Sequence, residues 1–295
     1  MVSMGMEGKT MATKNEYVIL DSKQMGNIYF AESFMMRDKQ LKLVTPEGNI
    51  ISKENSLRLS RYMRISNVIE TSCGQLRFDI PERWTDPFEK LFYKYPVTIG
   101  EKDYYVVCLC FIYDVNDGEE SLWHVHGNIK NSGSGSIGHT VVRTSFNIQE
   151  MCKKLAKANP DISFYFAPID YSLSRNQIVQ RYQKRKNTPY SFINDFINDM
   201  LVKRKAFSYE HEVRLFAVSE KRFVNENDNF ILLNLNNPKA VISKVTLPPI
   251  PITATYNSQT YHGDLEKQRL AYAWELHKNN CNIPIQQSRL YDIVK

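Results

Sequence analysis

The stretch YEHEVRLF, residues 209–216, places Glu210 and Glu212 two apart, with Arg214 two further on. In a strand, alternation puts all three side chains on one face. Two like charges side by side cost energy unless something uses or neutralises them. One use is a carboxylate aimed at an anomeric carbon, where it stabilises an oxocarbenium-like transition state, as in glycoside chemistry. Glu212 is the candidate. Such a site also needs a cation for a diphosphate, which an arginine fork supplies. It needs small hydroxyl residues to hold geometry, and an aromatic to pack a departing base.

Other chemistries compete for the same residues. A metal-dependent nuclease would gather Asp86, Glu210, Glu212 and Lys221 around a divalent ion, although the Glu-x-x-x-Lys spacing of that chemistry is not met near Glu212. His124 and His126 in WHVH could share a metal on a strand, but no third ligand lies in register; the expectation is a site without metal. Glu210 and Glu212 could instead form a ladder with Arg214, Lys203 or Arg204. The Gly-rich dinucleotide and P-loop fingerprints and the G-x-S-x-G elbow are missing, which removes the usual support for those enzyme classes. Cys73, Cys108, Cys110, Cys152 and Cys281 are scattered without zinc-ribbon spacing, and read as reduced thiols of a cytoplasmic protein.

The elements that must position these groups are legible in part. Of 295 residues, 42% are hydrophobic and 24% charged, ordinary values for a globular chain. No apolar run approaches the ~18 residues of a membrane span, and the first residues lack the apolar core of a secretory signal. Residues 1–56 read as an N-terminal extension, partly disordered, with room for two short strands; residues 57–295 read as a single catalytic-like domain. Within it RISNVIETSC has helical spacing and ends at Gly74. LRFDI alternates as a strand, FEKLFYKY is placed to start a helix at Pro87, and YYVVCLCFIY is the most β-like run. NIKNSGSGSIG (128–138) reads as a mobile loop. HTVVRTSF, SFYFAPIDY, EVRLFAV, FILLNL and ISKVTL read as strands. IQEMCKKLAKA, PYSFINDFINDMLVKRKAF and residues 265–279 read as helices. The fold class expected is α+β, with a split, largely antiparallel sheet flanked by helices.

Charge is uneven. Residues 175–205 hold eight Lys/Arg (Arg175, Arg181, Lys184, Arg185, Lys186, Lys203, Arg204, Lys205) against Asp195 and Asp199, so this stretch equals the +6 of the whole chain. RYQKRK sets an aromatic among basics, as nucleic-acid surfaces do. Arg181, Lys184, Arg185, Lys186, Lys203, Arg204 and Lys205 are therefore the candidate nucleic-acid-binding residues. The bland alternative is a solvated helix and loop.

Several stretches carry a resemblance. LSRYMRISNVIETSCGQLRFDIPERWTDPFE (59–89) is similar to the opening of a widespread bacterial domain family of unknown function. SLWHVHG (121–127), VVRTSF (141–146), KRKAFSYEHEVRLF (203–216), SKVTLPP (243–249) and IQQSRLYDI (285–293) follow in that family's order. The succession Arg, Thr-Ser, Glu-x-Glu also resembles the Arg–Ser–Glu class of ADP-ribosyltransferases. That resemblance implies a split sheet clamping NAD⁺ as substrate. Arg61, with Arg64 as competitor, and Tyr62 would bind it. Thr144 and Ser145 would form the middle motif, with Arg143 standing where a first hydroxyl is expected. Glu212 would be catalytic and Glu210 would handle the acceptor. The implied function is mono-ADP-ribosyl transfer to a macromolecule, RNA or DNA being favoured over protein. A bacterial toxin or phage-defence effector would fit, with a neutralising antitoxin as partner and no membrane. The competing class is a non-catalytic module that binds nucleic acid or protein.

Overall fold

The Val- and aromatic-rich run that begins at Tyr104 becomes the hub of the molecule. In a computed structural model the described residues are 15–45, 48–51, 57–84, 86–113, 122–123, 141–223, 226–227, 230–249, 254–256, 259–261, 265–279 and 281–288. The loop expected at 128–138, and His124 and His126, lie outside them. The principal strands are β1 (Tyr17–Val18), β2 (Ile28–Ala31), β3 (Arg58–Arg64), β4 (Gln75–Asp79), β5 (Lys102–Ile112), β6 (Val141–Asn147), β7 (Ser163–Pro168), β8 (Glu212–Ser219), β9 (Phe230–Asn234), β10 (Ile242–Leu247) and β11 (Ile285–Gln287). The principal helices are α1 (Ile65–Ser72), α2 (Ile148–Ala158), α3 (Arg175–Lys186), α4 (Ile193–Met200) and α5 (Leu265–Lys278). The architecture is α+β. None of these helices is long and apolar enough to cross a membrane.

One mixed sheet runs β1-β2-β7-β8-β5-β3-β6-β10-β11. Its pairs are antiparallel except β2 with β7 and β10 with β11. The sheet forks at β5. Asp79 of β4 pairs with Cys108, whereas Ser60 of β3 pairs with Ile112, further along the same strand. Beyond the fork β4 pairs with β9 and β3 with β6. β8 lies on the other side of β5, with Glu212 opposite Ile112 and Arg214 opposite Cys110. The fork therefore brings three strands, distant in sequence, to one face.

The local signals that succeed do so for identifiable reasons. Helix α2 is capped by Asn147, whose side chain accepts from the Glu150 amide, and it buries Ile148, Met151, Cys152 and Leu155, the 3.6-residue stripe of an amphipathic helix. Helix α1 gives way to Gly74 at φ +96°, with the Leu235 carbonyl where a β-carbon would press, so only glycine fits there without strain. Helix α3 opens with a capping box between Ser174 and Gln177 and buries little besides Ile178.

Three expectations are corrected. FEKLFYKY forms turns rather than a helix: the Asp86 carboxylate accepts from the Phe88 amide as an N-cap would, but the backbone bonds that follow are i→i+3 turns, from the Glu89 amide to Asp86 and from the Tyr93 amide to Lys90. The helix expected from Pro189 onward is only Ile193–Met200, followed by a 3-10 turn at Lys205–Glu210, and Phe192 just before it is exposed. The segment before residue 57 is no mere extension: β2 hydrogen-bonds to β7, and Phe30 and Phe34 pack on Phe166 in the core. Asn27, just before β2, bonds to the Ile162 carbonyl, 135 residues away, beyond the reach of any local pattern.

Candidate functional site

Arg214 is fully buried on β8. A lone guanidinium there would be prohibitively costly, so its partners define the site. Its Nε donates to Glu212 Oε1 at 2.7 Å, its Nη2 to Glu89 Oε2 at 2.5 Å, and its Nη1 to the Met200 carbonyl at 2.8 Å. The Trp84 ring lies 4.1 Å from the guanidinium carbon. Arg214 and Glu212 share a face, as alternation requires.

Glu210 reaches the same place by another route. It is the last residue of the 3-10 turn, and His211 follows in the left-handed region at φ 47°. The pair is therefore not a strand ladder: a kink turns Glu210 toward Glu212. Lys203 stands between them. Its Nζ lies 2.5 Å from Glu210, 3.0 Å from Glu212 and 2.8 Å from Glu89. Three buried carboxylates thus surround two buried cations, leaving one excess negative charge.

That imbalance splits the two glutamates. Burial alone would push Glu212 up, but Arg214 and Lys203 outweigh it and hold its carboxyl at about 2. For Glu210 burial prevails over Lys203, and its carboxyl is raised above the ordinary range. Burial pulls the Lys203 ammonium down, yet the surrounding carboxylates raise it overall. Carboxyls driven apart in this way suit different roles in acid–base chemistry. The Tyr171 hydroxyl accepts from the Glu212 amide at 3.1 Å and fixes the start of β8.

A cavity of about 290 Å³ opens above this cluster, lined by Arg61, Tyr62, Asp79, Trp84, Asp86, Glu89, Cys110, Ile112, Lys203, Glu210 and Glu212 among others. It lies at the fork. Arg61 crosses the fork to Asp79 at 2.7 Å and to the Arg77 carbonyl at 3.1 Å, and so is already paired. Arg64 is exposed and does not line the cavity. Tyr62 lines the cavity and packs edge-on against the buried Trp123. Thr144 and Ser145 are buried beside Arg61 and Ser60 in register, yet neither is among the lining residues. Ser145 meets Ser60 with their hydroxyls 3.4 Å apart, while Thr144 lies on the other face of β6.

The basic segment divides. Arg181 and Arg185 both bind the buried Asp199, at 2.6 and 2.8 Å. Arg204 binds Asp86 at 2.9 Å and Lys203 is interior. Arg175, Lys184, Lys186 and Lys205 remain exposed. The nuclease grouping with Lys221 is not assembled: Lys221 follows the far end of β8, roughly 23 Å from Glu212 along the strand. Among the described residues no group of three or more His, Cys, Asp or Glu is arranged to hold a metal ion.

Glu89, Trp84, Asp79 and Cys110 are site residues that composition and spacing do not single out as chemistry. The clue available is the run RWTDPFE, which places an aromatic and two acids within a few residues of a turn. No protein-family model, curated protein or solved structure matches the chain.

Proposed function

We propose that the fork cavity is the active site of an NAD⁺-consuming ADP-ribosyltransferase in which Glu212 is the catalytic carboxylate. One observation carries the reading: Glu212 is buried yet held ionised by Arg214 and Lys203, on the wall of a cavity. A fixed negative charge there stabilises positive charge developing at the ribose carbon as the nicotinamide bond breaks. Trp84 and Tyr62 supply aromatic walls for the departing ring. Glu210, with its raised carboxyl, is suited to take a proton from the acceptor. Arg61 would bind the diphosphate by exchanging Asp79 for it. Ser145 acts behind the site through Ser60, and Thr144 backs Arg61, its partner in register. Arg175, Lys184, Lys186 and Lys205 are the cations left to guide an anionic macromolecule, and RNA or DNA remains the favoured acceptor. An enzyme of this kind in a bacterial cytoplasm would act as a toxin or phage-defence effector and require a neutralising protein.

The decisive experiment supplies labelled NAD⁺ and cell extract, then treats the products separately with nuclease and protease. Nicotinamide release and label transfer are expected from the wild type. A loss of about 10²–10³-fold is expected in Glu212→Gln, comparable to removal of one transition-state-stabilising group. No turnover in any extract, from a protein that still folds, sinks the proposal. A second reading is favoured by the completeness of the cluster: every carboxylate in it already has a cation partner. On that reading the ions hold the turn and β8 together in a non-catalytic binding module, and nucleic-acid binding would survive Glu212→Gln unchanged.

A further inference from the structure

The cavity wall contains a feature that the proposed chemistry does not use. Cys108 and Cys110 stand two apart on β5, so their side chains share the face that carries Glu212. Their sulfurs are 3.9 Å apart. Cys110 lines the cavity together with Glu212. Cys108 is fully buried behind it, on the row that Asp79 joins at the fork. One thiol is therefore within reach of a small reagent, and the other is within reach of the first thiol only.

We infer that Cys108 and Cys110 form a reversible dithiol–disulfide pair, oxidised by low-molecular-weight disulfides that enter the cavity. The Cys110 thiolate attacks one sulfur of the reagent and expels one thiolate, forming a mixed disulfide. The Cys108 thiolate then attacks the Cys110 sulfur and expels the second. The protein loses two protons and two electrons, and the reagent is reduced to two thiols. Strand rise places Cα atoms two residues apart at about 6.7 Å, the wide end of the span a disulfide bridges. The bond is therefore strained and readily reduced, as labile regulatory disulfides are. The hydrogen bond to Cys108, together with burial, pushes the Cys110 thiol up, so the reaction quickens as pH rises. Nothing in this proposal depends on the NAD⁺ reading.

The test is intact mass of the full chain after incubation with oxidised glutathione at mildly alkaline pH. A Cys73→Ser background removes the exposed thiol. The expected product has lost two hydrogens, carries no adduct and is restored by dithiothreitol. Cys108→Ser in the same background is expected to retain one glutathione, mapped to Cys110. Cys110→Ser is expected to stay unmodified. The proposal is overturned if the native protein stays reduced while the urea-unfolded chain is oxidised. A mixed disulfide that persists with Cys108 present overturns it too, since the second sulfur then cannot reach the first. So does loss of two hydrogens from Cys110→Ser, which would place the bond elsewhere.

Discussion

Two buried ionic clusters sit within a few residues of each other in sequence and are built on opposite principles. Around Asp199 a single carboxylate receives Arg181, Arg185 and the Tyr190 hydroxyl. Cations outnumber anions, both arginines are partly open to solvent, and the Asp199 carboxylate lines no described cavity. The effect is to pin α3 onto α4. Around Lys203 the balance reverses: three carboxylates share two cations, and all five groups are nearly closed to solvent. This cluster borders a cavity. A structural ion cluster satisfies its carboxylate completely and offers nothing further, whereas one with surplus negative charge beside a cavity retains chemistry to perform.

The comparison can be broken most directly at Lys203. Lys203→Met leaves Glu89, Glu210 and Glu212 buried around an apolar side chain. The expected cost is about 3–5 kcal/mol, the range for breaking a buried ion pair on one side, read from denaturant unfolding at neutral pH. A loss below about 1 kcal/mol would mean that the cluster is solvated and the comparison empty.

The next effect is a pH dependence. The carboxyl of Glu212 lies near 2 in the folded protein, against 4.5 as its ordinary value. Its contribution to stability is therefore fully present above 4.5 and is lost as pH falls toward 2, a matter of a few kcal/mol. Glu210 works in the opposite sense, because its raised carboxyl takes up a proton in the folded state first. Urea midpoints measured across that acid range are expected to fall steeply in the wild type and more gently in Glu212→Gln. Equal slopes would contradict the assignment of the depressed carboxyl to Glu212.

The smallest effect belongs to the other cluster. Asp199→Asn is expected to cost about 2 kcal/mol, since its arginines can turn to water, and to leave nicotinamide release unchanged. A variant that stays folded but loses turnover would tie α3 to the cavity and erase the distinction drawn between the clusters.

What the sequence discloses follows the range of the interaction. The α2 helix is legible because cap and apolar stripe lie within a dozen residues. Glu212 and Arg214 share a face as alternation predicts, since both lie inside β8. The same rule fails for Glu210, because His211 turns the chain through the left-handed region, its ring 5.0 Å from that of Tyr113. Lys203 as a partner of Glu210 and Glu212 is within reach of the local pattern, but its third carboxylate, Glu89, arrives only through the tertiary fold. Asp79, the partner of Arg61, joins the site through a fork that no local pattern encodes. A charge count over 175–205 likewise cannot distinguish cations that face solvent from those that face Asp199 or Asp86.

The fork has one more consequence. A sheet that branches carries more strand edges than a simple ribbon, and unpaired edges invite other chains to add to them. Here the edges of β3 and β4 that diverge from β5 turn toward one another, across a gap bridged by Arg61 and Asp79. The bridge thus occupies the opening with a side-chain ion pair, the kind of charged cover that discourages a foreign strand from pairing there.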